Sequence, residues 1–490
     1  MPATTRPAPT TPGPVHHHDT PHRHDGRTVL ALAFAAIVVA MTQTQLVPIP
    51  ALLEQQLHTS AANINWATTA ALLSAAVATP LLARVGDQYG KKRTLTSLFL
   101  LMIAGSLLAA LTTSLAWLIV GRVLQGAATA MFPIAFSVVQ ESVARRLVPT
   151  ALAVISAALL LGAGISMVAT GLLTHGPNAD YHAVFWLLAA LSALALVLLV
   201  VCVPKDDAVP RGRVDWLGAL TLGAFLVTLL LPVSEGGDWG WSSPWTIGLF
   251  CATPALAALW LITESRVRAP LVELRTFFLK PVAFTNLAGL FFGFGMFVAL
   301  IGVSYIAQIP DQLTGYGFGA SALRASSEYL LPACLGGLVV APVAGLLARR
   351  LGPAPVLAAA GLIGAAGFVW LGLAHNSTFD VIAAGVLAGS ATAMGYATMP
   401  SLIGAAAPAD QTGIANGINS IARSVGSAVA SAVITTLLTS DPVPTAVPGL
   451  SLPAEDRFTT LFLIAAGCFA TVSLIAVTVL RTHDKAVRAR

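Results

Sequence analysis

Charge is what this chain has least of. Of its 490 residues only 10% are Asp, Glu, Lys or Arg, where a soluble domain carries about 25%. A soluble globular class is excluded on that ground, and the mean hydropathy of +0.81 points to an integral membrane protein. Cysteine is nearly as scarce. Cys202, Cys251, Cys334 and Cys468 fall singly inside apolar runs, with no paired spacing for metal or redox chemistry, and read as small core residues. No metal site is expected. No glycine-rich nucleotide loop is present, which argues against ATP drive. No histidine falls within an apolar run: His58, His175, His182 and His375 stand near run ends, so an enzyme would lack a convergent catalytic set. The start of the chain is not the short basic segment of a cleavable signal peptide. The formal net charge of +5 comes from basic residues scattered among loops, which makes no patch for nucleic acid.

What is present is apolar length. A membrane-spanning helix needs about 20 apolar residues. Suitable runs occur at about 29–50, 63–85, 95–113, 117–140, 150–173, 182–204, 214–233 and 245–263. Six more follow near 281–308, 322–347, 354–374, 378–405, 413–439 and 457–480. The expectation is an all-α integral membrane protein of fourteen helices, with both termini on one side. Basic residues choose the side. Arg6, Arg23, Arg27, Lys91 to Arg93, Arg145, Arg146, Lys205, Arg211, Arg213, Arg266, Arg268, Arg275, Lys280, Arg349, Arg350 and the C-terminal Arg481, Lys485, Arg488 and Arg490 all fall on alternate loops. Arg457 is the exception. By the positive-inside rule both termini are cytoplasmic. The leading residues 1–27, with His16, His17, His18, His22 and His24, cannot bury enough apolar surface to order themselves.

The chain also repeats itself. Gly121-Arg-Val-Leu-Gln-Gly-Ala-Ala-Thr-Ala-Met131 in the fourth run echoes Ala384-Gly-Val-Leu-Ala-Gly-Ser-Ala-Thr-Ala-Met394 in the twelfth. Pro80 to Gly86 likewise echoes Pro342 to Ala348, at nearly the same offset. This predicts an N-terminal six-helix bundle over 28–204 and a C-terminal one over 281–480. Two inserted helices would occupy 205–280, with a short tail at 481–490. Duplicated halves around a midplane site are how many secondary transporters are built. The inserted helices fall outside the repeat and, with no buried charge in their spans, are expected to be peripheral to any mechanism.

The short charged loop between the second and third runs carries Asp87, Gly90, Lys91, Lys92 and Arg93. It resembles the Gly-x-Leu-Ala-Asp-Arg-x-Gly-Arg-Arg signature of the major facilitator superfamily, with Ala83, Gly86 and Gln88 departing from it. Arg122-x-x-Gln125-Gly126 is similar to that family's Arg-x-x-Gln-Gly element. The run Gly162, Gly164 … Gly171 is similar to the glycine-rich antiporter signature of its drug exporters, without the Gly-Pro pair. Val214-Asp-Trp-Leu-Gly218, Trp239-Gly-Trp241, Gln308 … Gly315-Tyr316 and Asn419 … Arg423 … Gly426 look like the fourteen-helix drug:proton antiporter branch. That branch has an Asp in the first helix where Met41 stands here. The resemblance implies the major facilitator fold, two six-helix bundles plus two inserted helices, and a gating role for the loop.

Buried charge discriminates further, because an ionised group in the bilayer costs at least about 2.5 kcal/mol. Of twenty-one acids, Glu328 alone falls clearly inside a run, and Asp87, Glu141, Asp215 and Glu264 sit at the basic rim. Arg324 is four residues from Glu328 and can pair with it. Burial favours the neutral acid and Arg324 the anion, so rearranging the pair could bind and release a proton. Glu328, Arg324, Arg122 and Glu141 are therefore the proton-coupling candidates. Gln43, Gln45, Gln125, Asn286, Asn416, Asn419 and Arg423 are candidates for a substrate cavity, or else for helix–helix hydrogen bonds. The three helix-five glycines suit a seam where two halves rock, and Pro48 and Pro50 predict a bend near the outer end of the first helix.

The reading is a cell-membrane transporter that exports a lipophilic small molecule by alternating access. It would use the proton gradient and no cofactor, and work as a monomer. With no acid in the first helix, a neutral or anionic lipophile suits the arginine-containing cavity better than a cation. An uptake symporter or facilitator for a metabolite or lipid is the alternative on the same fold.

Overall fold

The computed structural model describes residues 25–480 except 60, 145, 177–178, 206–214, 268–269, 271, 409–410, 440–441 and 445–450. The histidine-rich leading segment, the tail at 481–490, Arg145, Arg211, Arg213, Val214 and Arg268 lie outside the described residues.

Among the described residues fourteen helices are long and apolar enough to cross a membrane. They are α1 (Gly26–Thr44), α2 (Trp66–Tyr89), α3 (Lys91–Leu111), α4 (Leu115–Ser142), α5 (Val148–Leu173), α6 (His182–Cys202) and α7 (Trp216–Gly237). Then come α8 (Pro244–Arg266), α9 (Lys280–Gln308), α10 (Ala325–Leu351), α11 (Pro353–Leu373), α12 (Thr378–Ala406), α13 (Thr412–Leu438) and α14 (Glu455–Leu480). A helix satisfies its own backbone, which hydrocarbon cannot do for it. Between α13 and α14 a two-stranded hairpin pairs β1 (Pro442–Pro444) with β2 (Ser451–Pro453) in antiparallel register. The face bearing the ends of the described chain is called the terminal face below.

The internal repeat survives as a repeat of packing. In the first bundle α1 lies on α5, α2 on α4, and α3 on α4 and α6. In the second, α9 lies on α13, α10 on α12, and α11 on α12 and α14. Each pair is its counterpart advanced by eight helices. The bundles meet the same way: α5 packs on α10 and α12, while α13 packs on α2 and α4. Even the tight turns correspond. Gly90 alone links α2 to α3 at φ 107, and Gly352 alone links α10 to α11 at φ 100. A residue with a Cβ is strained at such angles.

One expectation fails at the first helix. Pro48 and Pro50 do not bend a continuous helix: α1 stops at Thr44, a turn follows, and a separate short helix, Pro50–Leu57, begins with proline. Proline lacks the N–H an interior turn needs but suits a helix start.

The inserted pair is not equally peripheral. Helix α8 turns Trp245, Ile247, Leu259 and Ile262 outward, while α7 packs on both α2 and α13. Leu222, Leu226 and Leu230 of α7 join Ala76, Ile414, Ile421 and Ala428 in one apolar cluster. Helix α7 therefore touches both bundles at once.

Candidate functional site

On the terminal face, Asp87 meets the other bundle. A Cβ placed on Gly413, at the start of α13, would lie 2.9 and 3.0 Å from its two carboxylate oxygens and 2.9 Å from Ser137 Oγ. The free N–H groups of a helix start carry partial positive charge, so a carboxylate there is stabilised. Its neighbours in the loop work within the first bundle. Lys91 stands 3.8 Å from Asp87 and pairs with Glu141 on α4. Lys92 Nζ donates to the carbonyls of Val200 and Val203, at 2.7 and 2.6 Å, where α6 ends. Arg93 is exposed. Arg349, the counterpart of Asp87 in the repeat, is exposed as well.

Two buried polar networks flank the seam, one in each bundle. In the first, Arg122 is 1% exposed. Its Nε donates to the Ala67 carbonyl at 3.2 Å and its Nη1 to Gln125 Oε1 at 2.8 Å. Gln45 Nε2 donates to the same oxygen at 3.2 Å, and Gln125 Nε2 donates to Ser106 Oγ at 3.0 Å. Three helices and the turn after α1 thus converge on the Arg122–Gln125 pair, and the guanidinium does not snorkel. Beside it a space of about 10 Å³, lined by Gln43, Thr42, Thr68 and Thr129, is about the size that admits one water. In the second bundle, Arg423 Nη1 donates to Asn419 Oδ1 at 3.0 Å, and its guanidinium lies 4.8 Å above the Tyr396 ring. Asn419 Nδ2 donates to the Thr285 carbonyl at 3.1 Å and to Asn286 Oδ1 at 3.3 Å. Asn416 bonds back to Thr412 within α13. Asn286 Nδ2 is buried without a hydrogen-bond partner.

The helix-five glycines divide. Gly164 sits against Cys334 of α10, and Gly171 against Leu323 just before α10, both on the seam. Gly162 instead admits α1, where Ile37 and Ala40 approach within the first bundle. Ser156 Oγ donates across the seam to the Tyr396 carbonyl at 2.9 Å. Met41, at the place where the resemblance led to an Asp, is buried.

At the opposite face Arg324 Nε donates to Glu328 Oε2 at 2.6 Å, through a π-helical turn over Ala325–Leu330 that opens α10. The side chains are 53% and 35% exposed, so the pair sits at a rim rather than in a dry interior. The bond to Glu328 raises Arg324 above the usual arginine range. Nearby, burial and then Glu455 push the Tyr316 phenol up to about 12, and that phenol donates to the Pro453 carbonyl.

The elimination that left Glu328 as the interior acid does not hold. Glu235 is 1% exposed inside α7, and Thr69 Oγ1 of α2 donates to its Oε1 at 2.6 Å. Glu264 is 3% exposed inside α8, taking Trp260 Nε1 at 3.0 Å and the Val272 N–H at 3.3 Å. The inserted helices therefore do hold buried charge. The stretch Ser234-Glu-Gly-Gly-Asp238 reads as a loop, so the seventh run stops short of it. The four-residue spacing of Leu222, Leu226 and Leu230 is the signal that the buried face continues to the next turn. A cavity of about 350 Å³ was also not foreseen. It lies between the end of α2, the start of α13 and the segment before α9, with Arg84, Glu273, Thr276 and Gln411 among its walls.

The family described as Major Facilitator Superfamily matches residues 32–431, with a second match over 287–489. A Mycobacterium tuberculosis protein named an uncharacterized MFS-type transporter is 27% identical over 336 residues, 68% of this chain and 47% of its own length. The chain thus spans about half the length of that relative. The tetracenomycin C resistance and export protein of Streptomyces glaucescens is 26% identical over 407 residues, covering 81% of this chain and 72% of its own. The uridine/deoxyuridine transporter of Lactococcus lactis is 25% identical over 343 residues, 67% and 69%. The crystal structure of the human organic anion transporter TETRAN superposes with a TM-score of 0.65 at 13% identity, over 93% of this chain and all of that one. At that identity the likeness is one of fold.

Proposed function

Because the chain belongs to the Major Facilitator Superfamily, we propose that it exports a lipophilic, drug-like small molecule from the cell in exchange for protons. The membrane is the plasma membrane, the terminal face is cytoplasmic, and the monomer holds the whole pathway. The observation that carries alternating access is the Asp87 carboxylate on the start of α13. It joins the two bundles on one face through a charge–dipole contact that rocking would break. Likeness to a protein named for antibiotic export supports the outward direction. The substrate passes between the Arg122 and Arg423 networks, whose fixed positive charge favours a neutral or anionic lipophile over a cation. Glu328 with Arg324, and Glu141 with Lys91, are carboxylates available for proton exchange near the two faces. The lipid bilayer is the remaining partner.

The direct test is a whole-cell toxicity panel. Cells expressing the chain should survive higher doses of some lipophilic compounds than control cells, and Asp87→Asn should erase the difference. Likeness to a uridine/deoxyuridine transporter favours a second reading, uptake of a polar metabolite. Greater nucleoside accumulation in expressing cells, with no protection against any lipophile, would select it.

A further inference from the structure

Arg84 belongs to the last turns of α2, where that helix leans on α13. Pro80 and Ala83 lie 3.8 Å from where a Gly417 side chain would begin, and Asp87 faces Gly413. Arg84 stands beside that line of contact, partly buried, and lines the cavity of about 350 Å³ at the terminal face. A guanidinium offers five N–H donors and no acceptor. Here Nε is buried without a hydrogen-bond partner, and among the described residues no acid pairs with the group.

The other polar groups of the cavity are occupied with one another. Thr276 Oγ1 donates to Gln411 Oε1 at 2.6 Å, and Gln411 Nε2 donates to the Glu273 carboxylate. These bonds tie the segment before α9 to the start of α13 and hold the wall in place. Glu273 is exposed, so water screens its charge. The remaining walls are apolar: Val272, Phe277, Val282, Ile414 and Ile418.

A space of this size sits at the small end of ligand pockets, roughly 300–1,000 Å³. Its chemistry suits a negative group for Arg84 joined to a compact apolar body for the walls. A cation would be repelled by the guanidinium. A polar uncharged molecule would have to desolvate its groups against apolar walls. The place is also distinct from the two buried networks. Arg84 is seventeen residues along α2 from Ala67, which accepts from Arg122, about 25 Å in a helix. On α13 the cavity runs from Gln411 to Ile418 and stops short of Arg423.

We propose that this cavity binds an amphiphilic anion, its charged group on Arg84 and its apolar body between Phe277 and the Ile414–Ile418 face of α13. A carboxylate, sulfonate or phosphate accepts from the guanidinium fork in a charge-assisted contact. A lipid head from the facing leaflet and a free amphiphilic anion both carry that chemistry. The walls come from both bundles, α2 on one side and α9 with α13 on the other, so the cavity is complete only while the terminal face is closed. A bound anion therefore favours closure, by the ratio of its affinities for the two arrangements. Binding stands by itself; the effect on closure rests on the alternating-access reading given above.

The probe is anilinonaphthalene sulfonate, an apolar anion, beside its neutral analogue phenylnaphthylamine. The full chain in phosphatidylcholine nanodiscs should bind the sulfonate saturably, above empty discs and more tightly than the neutral analogue. Arg84→Gln should weaken the sulfonate at least about tenfold, the loss of a hydrogen bond to a charged group, and leave the neutral analogue unchanged. Arg84→Lys should recover part of the loss. Ile418→Trp, which fills the space and keeps Arg84, should remove saturable binding, with melting temperatures showing that each variant is folded. Phosphatidylglycerol added to the discs, scored against Arg84→Gln to subtract surface charge, displaces the sulfonate if a lipid head occupies the site. No displacement assigns the site to a free anion, and either result keeps the proposal. Spin labels at positions 97 and 349, with Cys202, Cys251 and Cys468 replaced by Ser, then report the terminal face. Bound sulfonate should enlarge the short-distance population in the parent and not in Arg84→Gln. The site is overturned if the parent binds the sulfonate no more tightly than Arg84→Gln and Ile418→Trp do, or no more tightly than it binds phenylnaphthylamine. Unchanged distances with sulfonate bound would overturn the effect on closure. The toxicity panel judges the export reading separately, since none of these readouts involves export.

Discussion

Replacing Asp87 by Asn removes one charge and keeps the shape of the side chain. Both carboxylate oxygens lie about 3 Å from where a Gly413 side chain would begin, at 2.9 and 3.0 Å, and the side chain is 16% exposed. A carboxylate at a helix start is worth roughly 0.3–1 kcal/mol when exposed and up to about 2 when partly buried. Allowing for solvent screening of a partly exposed group, about 1 kcal/mol is at stake. That lowers the ratio of closed to open terminal face about fivefold. Gly413→Ala should act in the same direction from the other helix, since its methyl would press on Asp87 and Ser137 together. Electron–electron distance measurements between labels at 97 and 349 should show the longer population grow in both variants, with expression unchanged and export lost in Asp87→Asn. Unchanged populations in Asp87→Asn would refute the charge–dipole closure. Opening in Gly413→Ala alone would mean that the closure is one of shape.

Three other outcomes are expected. Gly426→Ala should destabilise the chain by roughly 1–3 kcal/mol, read as a lower melting temperature in detergent, because its methyl would strike the Leu290 backbone where α9 and α13 cross. Arg122→Lys should not rescue Arg122→Gln in export or thermal stability: the guanidinium serves Ala67 and Gln125 at once, and an ammonium cannot reproduce that fork. At Asp180 burial works to raise the carboxyl, but bonds from the His182 backbone and ring outweigh it and leave the group below its usual range. A depressed carboxylate stabilises above its unfolded value and stops doing so as pH falls through the folded one. Asp180→Asn should thus lower the melting temperature slightly at neutral pH, the side chain being 54% exposed, with the difference vanishing in acid.

The fold was legible because each span announces itself by length, and because the repeat fixes which helices correspond. The Gly90 and Gly352 turns, alike in φ and equally placed, are that repeat seen in the backbone. The candidate site was legible only where a motif is local, as at Asp87. Sequence spacing says that Arg122 and Gln125 share a helix face; it cannot say that Ser106 and the Ala67 carbonyl arrive there from two other helices and Gln45 from the turn after α1. Glu235 was hidden for the opposite reason. Two glycines and an Asp follow it, which locally signal a loop, whereas packing of α7 on α2 and α13 carries the helix through them. Gly162 shows the same limit, since a glycine marks close approach without naming the helix that approaches.

The central claim is proton-driven export of a lipophile, and the most direct measurement is cellular accumulation of a compound that the toxicity panel selects. Expressing cells should hold less of it than control cells, and a protonophore should bring the two to the same level. Higher accumulation in expressing cells, or a difference that survives collapse of the proton gradient, would contradict the account.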